Sequence, residues 1–321
     1  MYPYLLREPF EISTYFTLEM LAFIVGILLA KNEAKKVGVD TVKIIDLSLA
    51  IFIGGMMGGK IFHVFFDGHF MDYVNMCVNP LIVEINAKYI SGGCTTDAAC
   101  SLADLGNVCN LENGKCYTQS CTAAFEIWRG GFVYYGGLIT SILVTIVFTK
   151  IKKMNLLKIL DIGAPTVAIG LAIGRMGCYF AGCCYGGVTN SFLGITFPAG
   201  SSAYIEHLKK YPELTEHLHH SLAVYPTQLF SVGANILIFL YLILFLRRKR
   251  QTYQGQLFMH LLFSYSAFRF IIEFFRADER GGAFGLSTSQ WISIIVISIT
   301  TVITLYIRKR YPMETNVDSS K

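Results

Sequence analysis

Arg175, Cys178, Cys183 and Cys184 stand together in residues 170–187, GLAIGRMGCYFAGCCYGG. A guanidinium attracts phosphate or carboxylate through a rigid fork of N–H donors, and a thiol beside a cation is biased toward the nucleophilic thiolate. A second set lies in FRFIIEFFRADERG, where Arg269, Glu273 and Arg276 are spaced i, i+4, i+7. That spacing predicts a single helix face. A glutamate between two arginines neutralises one and orients both, leaving positive charge suited to phosphate. A structural ion-pair network is the alternative. Each feature in 170–187 also has a plainer reading. Gly170 and Gly174 form a G-x-x-x-G that by itself serves helix packing, and free cysteines are commonly small buried packing residues. A vicinal Cys183–Cys184 disulfide is a further possibility. Tyr135 and His63 are candidate proton acceptors. An aromatic-belt role for Tyr135 and a satisfied interfacial position for His63 are the commoner outcomes.

The elements that position these groups are membrane spans. The chain has 321 residues, is 53% hydrophobic and 15% charged, and has a mean hydropathy of +0.49. That is too apolar for a soluble globular protein. Seven windows meet the requirement for about 20 apolar residues: about 14–30, 44–66, 132–149, 160–181, 226–246, 256–276 and 291–307. The fold class is therefore an all-α integral membrane protein organised as a single polytopic domain, 1–321. The opening MYPYLLREPFEIS has neither a basic n-region nor a small-residue cleavage site, so the first span is expected to be retained.

Lys and Arg set the orientation. Sixteen lie in the first, third and fifth loops and the C-terminal tail; eight lie in the N-terminal segment and the even-numbered loops. The N-terminus is thus expected outside and the C-terminus in the cytoplasm, as seven spans require. This asymmetry accounts for the net charge of +5 without nucleic acid. A Cys-rich extracytoplasmic loop, 67–131, carries Cys77, Cys94, Cys100, Cys109, Cys116 and Cys121. An even set in an oxidising space points to three disulfides, with 15 possible connectivities, over a zinc site, because no C-x-x-C pair is present. A second outer segment, 182–225, includes His207, His217, His219 and His220 and reads as a solvated head segment, with metal binding as the lesser alternative.

At about 1.5 Å per residue, Tyr15, Glu19, Lys60, His63, Tyr135, Arg175, Cys178, Arg269 and Glu273 all fall in the outer part of the bilayer. Polar residues in membranes face a bundle interior or a wet cavity, so a single cavity opening toward the outer leaflet is expected. Asp46, Asp161 and His260 fall near inner ends and are expected to be solvated helix termini.

GRMGCYFAGCCYG, YPTQLF, FRFIIEFFRADERG and the earlier WRGGFVYYGG together resemble the bacterial prolipoprotein diacylglyceryl transferase family, across all seven spans in order. The resemblance implies transfer of the diacylglyceryl group of phosphatidylglycerol to the lipobox cysteine of a prolipoprotein, with release of glycerol phosphate. It also implies a multi-pass protein of the bacterial cytoplasmic (inner) membrane, active at the outer leaflet, with no metal or cofactor. Residue by residue, Arg175 takes the place of the signature arginine and Arg269 that of the essential arginine in the sixth span. Glu273 and Arg276 match its partners, Gly174 and Gly186 match signature glycines, and Gln228 matches a signature glutamine. Three family residues are replaced: a histidine by Tyr135, an asparagine by Cys178 and a glutamate by Cys183. A His-Pro pair has likewise become Tyr225-Pro226.

In that reaction Arg175, Arg269 and Arg276 bind the lipid phosphate and stabilise the departing glycerol phosphate. Tyr135 relays the thiol proton, although a phenol with an ordinary pKa near 10 is a weak base. Two rival functions share these residues. An anion or lipid transporter would use the arginines as a gate, but would show inverted repeats and midplane sites. A membrane thiol oxidoreductase would use Cys178, Cys183 and Cys184.

Overall fold

The computed structural model describes residues 4–6, 12–83, 88–89, 93–102, 106–126, 131–211, 213, 217–250, 253–276 and 281–310. Arg7, Trp128, Arg129, Gly130, residues 277–280 and the tail beyond Arg310 lie outside them. Among the described residues, seven helices are long and apolar enough to cross a membrane: Thr14–Lys36, Thr41–Phe66, Tyr134–Ile151, Leu156–Ala181, Thr227–Arg247, Gln256–Phe275 and Thr288–Arg310. They coincide with the seven apolar windows. In the first span Leu21, Ile24 and Leu28 are exposed at helical spacing, as a lipid-facing stripe requires.

The chain divides into two compact units, residues 1–44 with 155–321, and residues 45–154. In the first unit, the fourth, fifth and sixth spans share a core of Ala164, Ala168, Ile238, Leu242, Leu246, Leu257 and Leu261. Alanines on the fourth span let the bulkier side chains of its neighbours interdigitate. The fifth span continues as a π-helix from Tyr241 to Arg250. This stretch carries Arg247 to Glu33, which is fully buried on the first span, with Nε 3.0 Å from Oε2. Lys36 holds the other carboxylate oxygen at 2.6 Å.

The fourth span shows how local sequence sets element ends. Asn155 caps its start by accepting the Lys158 amide at 3.2 Å. Gly182 ends it in the left-handed region at φ 68°. Within it, Asp161 overturns the expectation of a solvated terminus: it is only 2% exposed. Its carboxylate accepts the Gly255 amide at 2.7 Å and the Phe258 amide at 3.2 Å. Gly255 has φ 86° and no side chain to cap the sixth helix, so the cap comes from across the bundle. Nearness to a helix end in sequence did not mean water, because the sixth span docks there. His260 is half-buried and lies 3.0 Å from the Tyr241 hydroxyl, whereas Asp46 is exposed as expected. Asp161→Ala leaves two buried amides unpaired and is expected to cost roughly 2 kcal/mol or more. Thermal unfolding in detergent checks this: an unchanged midpoint would refute the capping role, and Asp161→Asn should retain part of the stability.

The head segment after Gly182 packs around Tyr185, Phe197, Ala203 and Val224. His207 is buried in it and accepts the Leu222 amide at 3.2 Å, so it is not solvated as expected. Burial pushes its imidazole below the ordinary value, consistent with a neutral acceptor. His217, His219 and His220 are exposed.

In the second unit, the second and third spans approach through glycine. A Cβ on Gly58 would lie 2.7 Å from the Gly136 carbonyl, and one on Gly136 would lie 2.6 Å from that of Gly58. The loop beyond holds three disulfides, Cys77–Cys121, Cys94–Cys109 and Cys100–Cys116. It also holds an antiparallel sheet in which Lys115–Tyr117 lies between Lys88–Tyr89 and Val108–Asn110.

Candidate active site

Most of the candidate residues converge at one end of the first unit, where the fourth span ends, the fifth begins and the sixth gives way to a loop. The chain after Gly182 turns back on itself. Cys184 adopts left-handed backbone at φ 61°, which costs a residue with a Cβ about 1 to 2 kcal/mol. The Cys183 amide donates to the Cys178 carbonyl at 3.1 Å. This fold-back gathers the sulfurs of Cys178, Cys183 and Cys184 within 4.8 Å of one another, all as free thiols. The vicinal disulfide is not formed.

The fold-back is locked by the fifth span. The Gln228 side-chain amide donates to the Cys183 carbonyl at 2.7 Å, and the Thr227 hydroxyl donates to the Cys184 carbonyl at 2.8 Å. Gln228 is almost fully buried, so its amide positions the cysteine turn. Gly186 pairs with Arg276 in an isolated antiparallel bridge, and its amide donates to the Tyr225 carbonyl at 2.9 Å.

The expected single face of Arg269, Glu273 and Arg276 holds only for the first pair. The helix proper ends at Ile272, Glu273–Phe275 form a 3₁₀ turn, and Arg276 is extended at φ −88°, ψ 148°. The bridge to Gly186 and the Gly187 amide on the Phe275 carbonyl, at 2.8 Å, supply hydrogen bonds that a further helical turn would have made internally. Arg276 reaches the site by this route and donates to the Cys184 carbonyl at 3.3 Å. Arg269 Nη2 lies 2.8 Å from Glu273 Oε2 and 3.1 Å from Ser289 Oγ, while Ser287 donates to Glu273 Oε1 at 2.9 Å. Ser287 and Ser289 were missed in the sequence because serines in a turn carry no distinguishing pattern.

Arg175 is partly buried, and among the described residues no ion pair or hydrogen bond engages it. Tyr265, Cys178, Cys184 and Arg276 lie within its electrostatic reach. Tyr265 was also missed, as an aromatic in an aromatic-rich span. Gly174 and Gly177 admit the first span: a Cβ would meet Glu19 Oε1 at 3.0 Å and the Tyr15 ring at 3.1 Å, and Tyr15 lies within electrostatic reach of Cys178 and Cys183. Three guanidiniums against Glu273 and Glu19 leave excess positive charge at this end. The Cys184 thiol is held well below its ordinary value, first by hydrogen bonds from Cys178 and Cys183 and then by the Arg276 and Arg175 charges.

Tyr135 belongs to the other unit, in the first turn of the third span, where it is exposed and meets Tyr134 edge to face. His63 is there too, with Nδ1 3.2 Å from Asp67 Oδ2. His63, Asp67 and His69 offer ligand atoms within 4.8 Å of one another, a second group that could hold a cation.

A family model described as prolipoprotein diacylglyceryl transferase matches residues 3–92 and 99–306. The chain belongs to this family. Relatives agree along its length. It is 28% identical over 289 residues to a phosphatidylglycerol--prolipoprotein diacylglyceryl transferase of Clostridium tetani, covering 90% of each chain. It is 28% identical over 314 residues to one of Erwinia tasmaniensis, covering 95% of this chain and 91% of the relative. A second such enzyme of Clostridium perfringens is 33% identical over 187 residues, 58% of this chain and 66% of its own. Neither the transporter nor the oxidoreductase function gains support from these comparisons.

Proposed function

We propose that this protein transfers the diacylglyceryl group of phosphatidylglycerol to the cysteine thiol of a prolipoprotein lipobox, releasing glycerol phosphate. The observation that carries the proposal is Arg175, a partly buried guanidinium with no ion pair or hydrogen bond among the described residues, within electrostatic reach of Arg276 and Cys184, in a chain of this family. An unpaired guanidinium in a span costs about 2.5 to 3.5 kcal/mol on insertion scales. A phosphodiester headgroup offsets that cost and supplies the missing acceptors.

In this scheme Arg175 and Arg276 hold the phosphate, and Arg269 adds charge while Glu273 and Ser289 fix its rotamer. As the thiol sulfur attacks the glyceryl carbon, negative charge builds on the departing phosphate oxygen, and the guanidiniums stabilise it in place. Gly174 keeps the fourth span thin beside Arg175. Gly186 and Gln228 hold the turn from which Cys178, Cys183 and Cys184 face the lipid.

The N-terminus is placed outside and the C-terminus in the cytoplasm of a bacterial inner membrane, with the site toward the outer leaflet. The basic-residue asymmetry supports this, and so do three disulfides in the loop between the second and third spans, since disulfides persist in oxidising compartments. The test is to incubate the purified full chain with labelled phosphatidylglycerol and a lipobox peptide. The expected products are a peptide carrying one diacylglyceryl group and released glycerol phosphate. Absence of any thioether product would sink the proposal.

A further inference from the structure

We infer that Cys178, Cys183 and Cys184 form a binding site for a zinc-class divalent ion whose fourth position takes the incoming peptide thiolate. The inference rests on the transferase function proposed above and assigns the group that activates its nucleophile.

Geometry comes first. The three sulfurs lie within 4.8 Å of one another, against about 3.8 Å for thiolates sharing a tetrahedral zinc at about 2.3 Å. The backbone is built for the approach. Gly182 and Cys184 are both left-handed, and Gln228 and Thr227 tie down the Cys183 and Cys184 carbonyls. Three protein ligands with one open position are the arrangement of catalytic rather than structural zinc. Charge agrees as well. Three thiolates around a divalent ion carry one net negative charge, and Arg276, which donates to the Cys184 carbonyl at 3.3 Å, supplies positive charge beside them. All three cysteines remain free thiols while the other six are paired.

Chemistry supplies the reason for such a site. The transfer alkylates a thiol, whose reactive form is the thiolate. A bound divalent ion stabilises the thiolate at neutral pH, a task for which a tyrosine with an ordinary pKa near 10 is a poor base. On binding, the peptide thiol gives its proton to water. Its sulfur then forms a bond to the glyceryl carbon as the carbon–oxygen bond to phosphate breaks. The electron pair leaves on the phosphate oxygen, which takes up a proton as glycerol phosphate. The uncharged thioether is a weak ligand and departs. No oxidant or reductant enters.

The test uses the full chain in detergent, reduced at its free thiols only, and titrated anaerobically with Zn(II) and with Co(II). Binding of about one ion per chain with a thiolate-to-cobalt absorption band is expected, and a lipobox peptide should change that band while its Cys→Ser version does not. Mass spectrometry should find Cys178, Cys183 and Cys184 protected from alkylation by Zn(II). Cys183→Ser and Cys184→Ser should weaken metal binding by at least about tenfold, and Cys178→His, which keeps a ligand, should retain it. No stoichiometric ion, no protection, or a band indifferent to the peptide thiol would overturn the inference. So would unchanged transfer after chelation, which would leave the transferase function standing. A peptide-sensitive metal site without thioether product would sink that function and keep the metal–thiol site.

Discussion

Arg175→Ala is expected to lower diacylglyceryl transfer by about 10³-fold while leaving the protein folded. Removing one donor that stabilises developing charge costs about 10² to 10³ in rate, and arginines that meet phosphoryl charge reach the upper part of that range and beyond. Arg175 makes no ion pair or hydrogen bond among the described residues, so its loss breaks neither there. Its removal instead takes a charge out of a membrane span. The thermal midpoint of Arg175→Ala in detergent should therefore be unchanged or raised, and only transfer should fall. Arg175→Lys keeps the charge but loses the planar fork and should recover only part of the rate. Transfer of labelled lipid to a lipobox peptide, measured beside thermal unfolding, separates the outcomes. Activity within a few-fold of native would refute the phosphate role. Loss of activity together with collapse of the fold would show that Arg175 is structural.

Gly186→Ala is expected to damage fold and activity together. A Cβ there would lie 2.4 Å from the Phe275 carbonyl oxygen, 2.8 Å from Tyr225 Cβ and 2.9 Å from Thr227 Cγ2. The first contact is with backbone, so no side-chain rotation relieves it. The Gly186–Arg276 bridge must open, and the hydrogen bonds around it weaken with it. The expected destabilisation is about 2 to 4 kcal/mol, in the range of overpacking combined with lost buried hydrogen bonds. Arg276 is carried by that bridge, so transfer should fall further than the folded fraction does. Gly187→Ala is the control, because a Cβ there meets nothing within 4 Å. A Gly186→Ala protein as stable and active as Gly187→Ala would show that Arg276 does not depend on the bridge.

The seven spans were legible in the sequence because a bilayer enforces a simple rule: about 20 apolar residues with every backbone group bonded internally. The residue types that would suit a phosphate were also plain, since an arginine in a span is costly without an anionic ligand or partner.

Tertiary structure decided the rest wherever partners distant in the chain compete for one group. Asp161 became a buried cap because the sixth span starts at a glycine that cannot cap itself. Arg276 left the helix because Gly186 offered its backbone a bridge. The six loop cysteines acquired one pairing out of 15, since proximity and not spacing selects partners. Types and spacing determined that arginines and thiols would share one end of a helical membrane protein. Only the fold-back after Gly182, held by Thr227 and Gln228 from the next span, decided that three sulfurs would meet within electrostatic reach of Arg175.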